Sequence, residues 1–218
     1  MFFLISIFID AGAGFLSALP FLILLEVLAG KQIPFLPLKH LIGCGIFCGF
    51  LSVVLSVTGV PAVYEMRFDV GINLLPFAGL TSNTLQYIEN ILLFLPAGAL
   101  LPLLYKKFQK LSRCALYGFL FSLAIELMQL FCFRTTDLDD LLMNTLGTIT
   151  GFGIFALLQK LYPPVADEFS IPAEKAEKLP ALFELEVHFL TAAAWAGALL
   201  LTPVIKNIIW ALVLSAQS

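Results

Sequence analysis

Long runs of apolar residues alternate along this chain with short polar stretches, and the runs exceed what the core of a soluble domain requires. A hydrocarbon slab about 30 Å thick takes roughly 20 residues of helix to cross. Six runs meet that measure, at about 3–29, 40–59, 87–105, 114–133, 140–161 and 185–203. Glycine and proline inside them do not argue against helix, because neighbouring helices satisfy the backbone groups that they free. The last run is ambiguous at its end. Pro203, Lys206 and Asn207 interrupt an apolar stretch that resumes to Leu214, as either a tilted continuation or an interfacial tail. The expected fold is all-α, a polytopic transmembrane bundle of about six helices.

The polar stretches suggest an organisation. Residues 1–40 carry a first transmembrane helix, 41–161 a helical membrane core, 162–184 a linker, and 185–218 a last helix with its tail. The first thirty residues lack a basic leading segment, contain Asp10 and run apolar for longer than a signal peptide needs, so they predict a retained helix. The linker opens on Tyr162-Pro163-Pro164 and mixes Asp167, Glu168, Glu174, Lys175, Glu177 and Lys178, the pattern of a solvated connection. Residues 60–86 differ, because Tyr64, Met66, Phe68 and Leu74 alternate with Glu65, Arg67, Asp69 and Asn73. Such a segment lies at the membrane interface or dips into the bundle.

Composition agrees with the pattern. The 218 residues are 60% hydrophobic and 12% charged, against roughly half and a quarter in soluble domains. A net charge of -3 excludes a polybasic surface for nucleic acid. Cys44 and Cys48 are one helical turn apart and Cys114 and Cys132 stand alone, without a CxxC motif, so they read as small core residues.

Basic residues near span ends set orientation, because they are retained on the cytoplasmic side. With the amino terminus outside, nine of the 12 basic residues fall in cytoplasmic connections: Lys31, Lys39, Lys106, Lys107, Lys110, Arg113, Lys160, Lys175 and Lys178. Arg67, Arg134 and Lys206 remain outside. The expectation is a multi-pass plasma-membrane protein with an extracytoplasmic amino terminus.

In this frame the costly side chains converge. Ser122, Glu126 and Gln129 share one face of the fourth candidate helix. Glu126 precedes Arg134 by a helical distance of about 12 Å, which places it inside the slab. The turn Arg134-Thr135-Thr136-Asp137-Leu138-Asp139-Asp140 follows, and Asp140, Asn144, Gly147 and Gly151 then form one stripe on the fifth candidate helix. Asn90 stands in the first turn of the third. These groups and Asn73 are therefore expected at one outer-leaflet depth. Taken singly, Asp139 or Asp140 is a helix cap and Arg134 an anchor that snorkels to headgroups. Taken together, a buried glutamate, an arginine and three aspartates cost too much in a membrane to be decoration.

The ordered pieces Asn73-Leu74-Leu75-Pro76-Phe77, Asn90 through Gly98, Ser122 to Glu126 to Gln129, and Arg134-x-x-Asp137-x-Asp139-Asp140-x-x-x-Asn144-x-x-Gly147 resemble the VanZ-like family over about residues 45–160. These bacterial membrane proteins are named for a determinant of low-level teicoplanin resistance. The resemblance implies a helical membrane fold linked to glycopeptide resistance, with Asn73, Asn90, Glu126, Gln129, Arg134, Asp137, Asp139, Asp140 and Asn144 as functional positions. The first helix and the chain after about 162 lie outside it.

Several readings stay open. One is a site for an anionic amphiphile, a membrane lipid, lipid-linked cell-envelope precursor or lipoglycopeptide, gripped by Arg134 and hydrogen-bonded by Asn73, Asn90, Gln129 and Asn144. A second is a membrane enzyme with Glu126 and Asp140 as catalytic groups, or with a divalent cation held by Asp137, Asp139 and Asp140. His40 and His188 fall near the other membrane face, so no nucleophile and base pair is in reach. A third is a proton-coupled transporter relaying through Glu126, and a last is a structural role for the whole cluster.

Overall fold

The computed structural model describes residues 37–60, 66–68, 71–77, 84–131, 136–172 and 180–215, with single positions at 63 and 177 and scattered ones between 5 and 27. Its helices are α1 (Leu38–Val57), α2 (Thr84–Leu104), α3 (Leu111–Gln129), α4 (Leu138–Leu161), the short α5 (Val165–Phe169), α6 (Pro180–Ala196) and α7 (Thr202–Ser215). Among the described residues, five helical runs are long and apolar enough to cross a membrane: α1 to α4 and the continuous run Phe183–Ser215. The described positions of the first predicted run are helical as well. The chain divides into two compact units, one of residues 1–36, 44–66 and 173–218 and one of residues 37–43 and 67–172.

In the second unit α4 packs chiefly against α2 and also against α3, and small residues set the distance. A Cβ added to Gly151 would lie 1.9 Å from the Leu95 carbonyl oxygen, and one on Gly98 1.9 Å from that of Thr148. A Cβ on Gly147 would meet the Ile91 carbonyl at 2.4 Å. The predicted glycine stripe of α4 is thus laid directly on the α2 backbone, the close approach that dispersion favours where lipid offers no hydrophobic drive. Pro96 and Pro102 sit inside α2 without ending it. An aromatic series runs through this unit, from Tyr105 to Phe108, Tyr117, Phe121 and Phe94, with ring centroids 5.6 to 6.2 Å apart.

Two short strands, β1 (Ile72–Asn73) and β2 (Thr136–Asp137), pair in parallel, with Ile72 opposite Thr136 and Asn73 opposite Asp137. The ladder ties the segment before α2 to the turn before α4, so both helices start at the same end. Phe68, Ile72, Leu74, Leu75 and Phe77 of this segment are exposed.

At the other end of the unit α5 is docked, so the stretch read as solvated does not leave the protein at once. Lys39 Nζ meets Glu168 Oε2 at 2.6 Å and Lys106 Nζ meets Asp167 Oδ1 at 2.8 Å. The buried His40 has Nδ1 2.9 Å from the Phe169 carbonyl oxygen, and Tyr162 donates its hydroxyl to Glu168. The Lys39 bond, and then the Tyr162 bond, hold the Glu168 carboxyl below its ordinary value of 4.5. A depressed acid stabilises docking above its unfolded-state value and loses that contribution as pH falls through the folded one. The amide resonances of Glu168 and Phe169 are therefore expected to titrate with a midpoint below 4.5. Glu168→Gln at neutral pH is expected to reproduce the acid state as faster amide exchange across 165–171.

The first unit buries Phe47, Leu51, Val54 and Leu55 of α1, and Val187, Leu190, Ala193 and Ala194 of α6. Glu186 is buried there as well, and the Cys44 thiol donates to its Oε1 at 3.6 Å. The predicted last helix does not stop at Pro203. A π-helical turn, Gly197–Leu201, joins α6 to α7, and the run extends over 33 residues, about 50 Å at 1.5 Å per residue. Proline lacks the N–H that would bond to Leu199, and a widened turn at that point absorbs the ring without breaking the helix.

Candidate functional site

The site is built from the end of α3 outward. Glu126 lies in the last turn of α3, which ends at Gln129. Counting back from Arg134 had placed Glu126 about 12 Å deep, but it is only about 4.5 Å from the helix end. Protein rather than lipid covers it, at 3% exposure. Its Oε2 accepts from the backbone N–H of Asp137 at 2.9 Å, and its carbonyl accepts from Thr136 Oγ1 at 2.9 Å. The glutamate thereby fixes β2 against the helix that precedes it.

Asp137 begins α4. With extended φ -121 and ψ 126, it accepts from the Asp139 N–H, the geometry of an N-cap. The cap expected at Asp139 or Asp140 is therefore Asp137, and α4 starts two residues before Asp140. The other oxygen of Asp137 accepts from Asn73 Nδ2 at 3.1 Å, a cross-strand partner that the parallel register supplies.

Asp139 and Asp140 occupy the first turn of α4, where the helix dipole favours negative charge. The Asp139 carboxylate, 2% exposed, takes the Phe77 N–H at 2.8 and 3.1 Å and the Tyr87 hydroxyl at 2.6 Å. Phe77 has φ 59, a left-handed backbone that a side chain disfavours. Pro76 before it pre-sets the turn. Asp140 Oδ1 receives Gln86 Nε2 at 2.8 Å and Asn90 Nδ2 at 2.6 Å. One turn further along α4, Asn144 donates to Ser122 Oγ at 2.9 Å.

The structure thus brings together Asn73, Asn90, Glu126, Gln129, Asp137, Asp139, Asp140 and Asn144 at one end of the second unit. Arg134 lies outside the described residues. The three aspartates each face a different donor set. Among the described residues, their oxygens do not gather within ligand reach of one point, so the residues present do not form the divalent-cation site that the sequence left open. His40 sits against Tyr105, beyond the end of α2, about 22 Å of helix from Asn90. It supplies no base to this cluster.

Sequence reasoning missed Gln86, Tyr87 and the Phe77 amide. The first two had a signal, since they precede Asn90 by four and three residues and so share its helical face. The third had none, because a backbone donor carries no residue code. Chemically, the arrangement pairs its aspartate carboxylates with fixed donors, among them the amide nitrogens of Asn73, Gln86 and Asn90.

A family model described as VanZ/LLP1 matches residues 41–159, a stretch that contains the whole cluster. The chain is similar to Protein VanZ of Enterococcus faecium, with 33% identity over 90 residues, covering 41% of this chain and 55% of the relative. It thus spans about half the length of that relative. No solved structure matches the chain.

Proposed function

This chain belongs to the VanZ/LLP1 family, and from that premise we propose that it binds a cell-envelope amphiphile, either a lipid-linked precursor or a lipoglycopeptide, at the polar end of α2, α3 and α4. The reading places that end in the outer leaflet of the plasma membrane, following the basic residues gathered in the opposite connections. The anionic part of the headgroup falls to Arg134, whose planar fork suits phosphate or carboxylate. Sugar or peptide groups fall to the amides of Asn73, Asn90, Gln129 and Asn144. The family's link to teicoplanin resistance gives the ligand class its direction.

The observation that carries this reading is the convergence of buried and part-buried polar side chains from three helices and a two-residue ladder on one end of the second unit. Binding is favoured over chemistry because Asp137, Asp139 and Asp140 are each held by named donors.

Two variants test it in a teicoplanin-susceptible host and with purified protein. Arg134→Ala removes the anion grip, and Glu126→Gln removes a charge while keeping an acceptor for the Asp137 N–H. Each is expected to weaken teicoplanin binding about tenfold or more, the scale of one lost charge-assisted hydrogen bond, and to abolish any resistance that the wild type confers. Unchanged binding and susceptibility in well-expressed variants would overturn the reading.

A further inference from the structure

Asn144 is 2% exposed and Ser122 is fully buried. The amide nitrogen of Asn144 donates to the Ser122 hydroxyl oxygen, and its amide oxygen has no hydrogen-bond partner. Turning the amide over does not remove the problem. Ser122 would then donate to the oxygen, and the nitrogen would be left over. Whichever way the pair is drawn, one polar atom is buried and unmet, which native proteins seldom tolerate without a reason.

Its position gives the reason. Along α4, Asp140 lies one turn outward of Asn144 and Gly147 three residues inward, and at Gly147 the helix is in contact with the α2 backbone. Along α3, Glu126 lies one turn outward of Ser122. The two helices therefore present an outer pair, Glu126 and Asp140, and an inner pair, Ser122 and Asn144. One turn further inward on the same two helices Gly118 packs on Thr148, where an added Cβ would lie 2.2 Å from the threonine hydroxyl, so the helices are in contact beneath the inner pair.

We propose that Ser122 and Asn144 form the innermost subsite of the binding site, and that it takes an uncharged amide or hydroxyl of a sugar or peptide headgroup. This proposal rests on the binding function argued above. Such a group donates to the unmet Asn144 oxygen and accepts from the Ser122 hydroxyl, filling both capacities at once. A charged group would be stripped of water at a level where the pair offers no counter-charge. An acyl chain would leave the amide oxygen unmet, and sites built to hydrogen-bond a group reject analogues that lack it.

The test uses the full-length protein in lipid nanodiscs with teicoplanin as the probe, measuring affinity and melting temperature side by side. Asn144→Leu keeps the number and branching of the side-chain heavy atoms and removes the unmet atom. It is expected to melt at or above the wild-type temperature while its affinity falls about tenfold, the factor for one or two lost hydrogen bonds. Ser122→Ala is expected to lose affinity several-fold, and it carries the test if Asn144→Leu does not accumulate. Wild-type affinity in the variants overturns the subsite and leaves the binding function standing. Loss of affinity matched by a large loss of melting temperature also overturns it, because the pair would then be structural. A wild type that does not bind the probe overturns both.

Discussion

Asp139→Ala is expected to melt far below the wild type and to release the segment 71–77 from the helices. One carboxylate holds two donors that nothing else serves, the Phe77 N–H and the Tyr87 hydroxyl. Leaving a buried donor unmet costs about 1–3 kcal/mol, and the Tyr87 hydroxyl is such a donor. The left-handed backbone at Phe77 adds strain of order 1–3 kcal/mol, which the Asp139 bonds now hold in place. Asp139→Asn, which keeps one acceptor oxygen, is expected to lose roughly half as much. Phe77→Gly in the alanine background is expected to recover part of the loss, because glycine accepts that φ without strain. Melting in detergent, with amide exchange over 71–77, reads all three. Equal stability of Asp139→Ala and the wild type would show that the bonds to Phe77 and Tyr87 hold nothing.

Gly151→Val is expected not to accumulate as folded protein. Its first added carbon falls 1.9 Å from the Leu95 carbonyl oxygen and 3.1 Å from the Ala99 nitrogen. Those are backbone atoms, which cannot rotate aside as a side chain does. Ordinary overpacking costs about 1–3 kcal/mol, and separating two helix backbones exceeds that. Gly151→Ala is expected to show a milder form of the same defect. Gly153, on the same helix, has nothing within 4 Å of an added Cβ. Gly153→Ala is therefore expected to leave stability unchanged or raise it by up to about 1 kcal/mol through helix propensity. A Gly151→Val protein that folds and melts like the wild type would refute the close α2–α4 packing.

Much of this fold was legible because lipid imposes a length and a periodicity. The spans of α1 to α4 emerged within a few residues from apolar runs alone, and the face bearing Asp140, Asn144, Gly147 and Gly151 from helical spacing. Signals without such a code were harder to read. Pro203 left two readings open, a continued helix or an interfacial tail, because proline removes a backbone bond, and a single π turn carries the helix past it. The end of α3 was placed too late because Phe131 and its neighbours remain apolar after the helix has closed at Gln129. The cap went to Asp137 rather than to its neighbours, because the parallel pairing with Asn73 fixes its extended backbone, and a two-residue ladder across such a sequence distance leaves no pattern. Glu186 was overlooked because it sits in a stretch where Glu184 and His188 suggest an exposed face. In the first unit it is buried beside the Cys44 thiol.

The backbone contact of α2 with α4 has a consequence for how the molecule is made. The two partners are not successive, since α3 is translated between them, so their contact does not exist while only α2 and α3 have left the ribosome. During that interval Glu126 and Ser122 face outward from a helix whose cover has not yet been synthesised. That cover is supplied only by α4, the helix whose Gly147 and Gly151 also meet the α2 carbonyls.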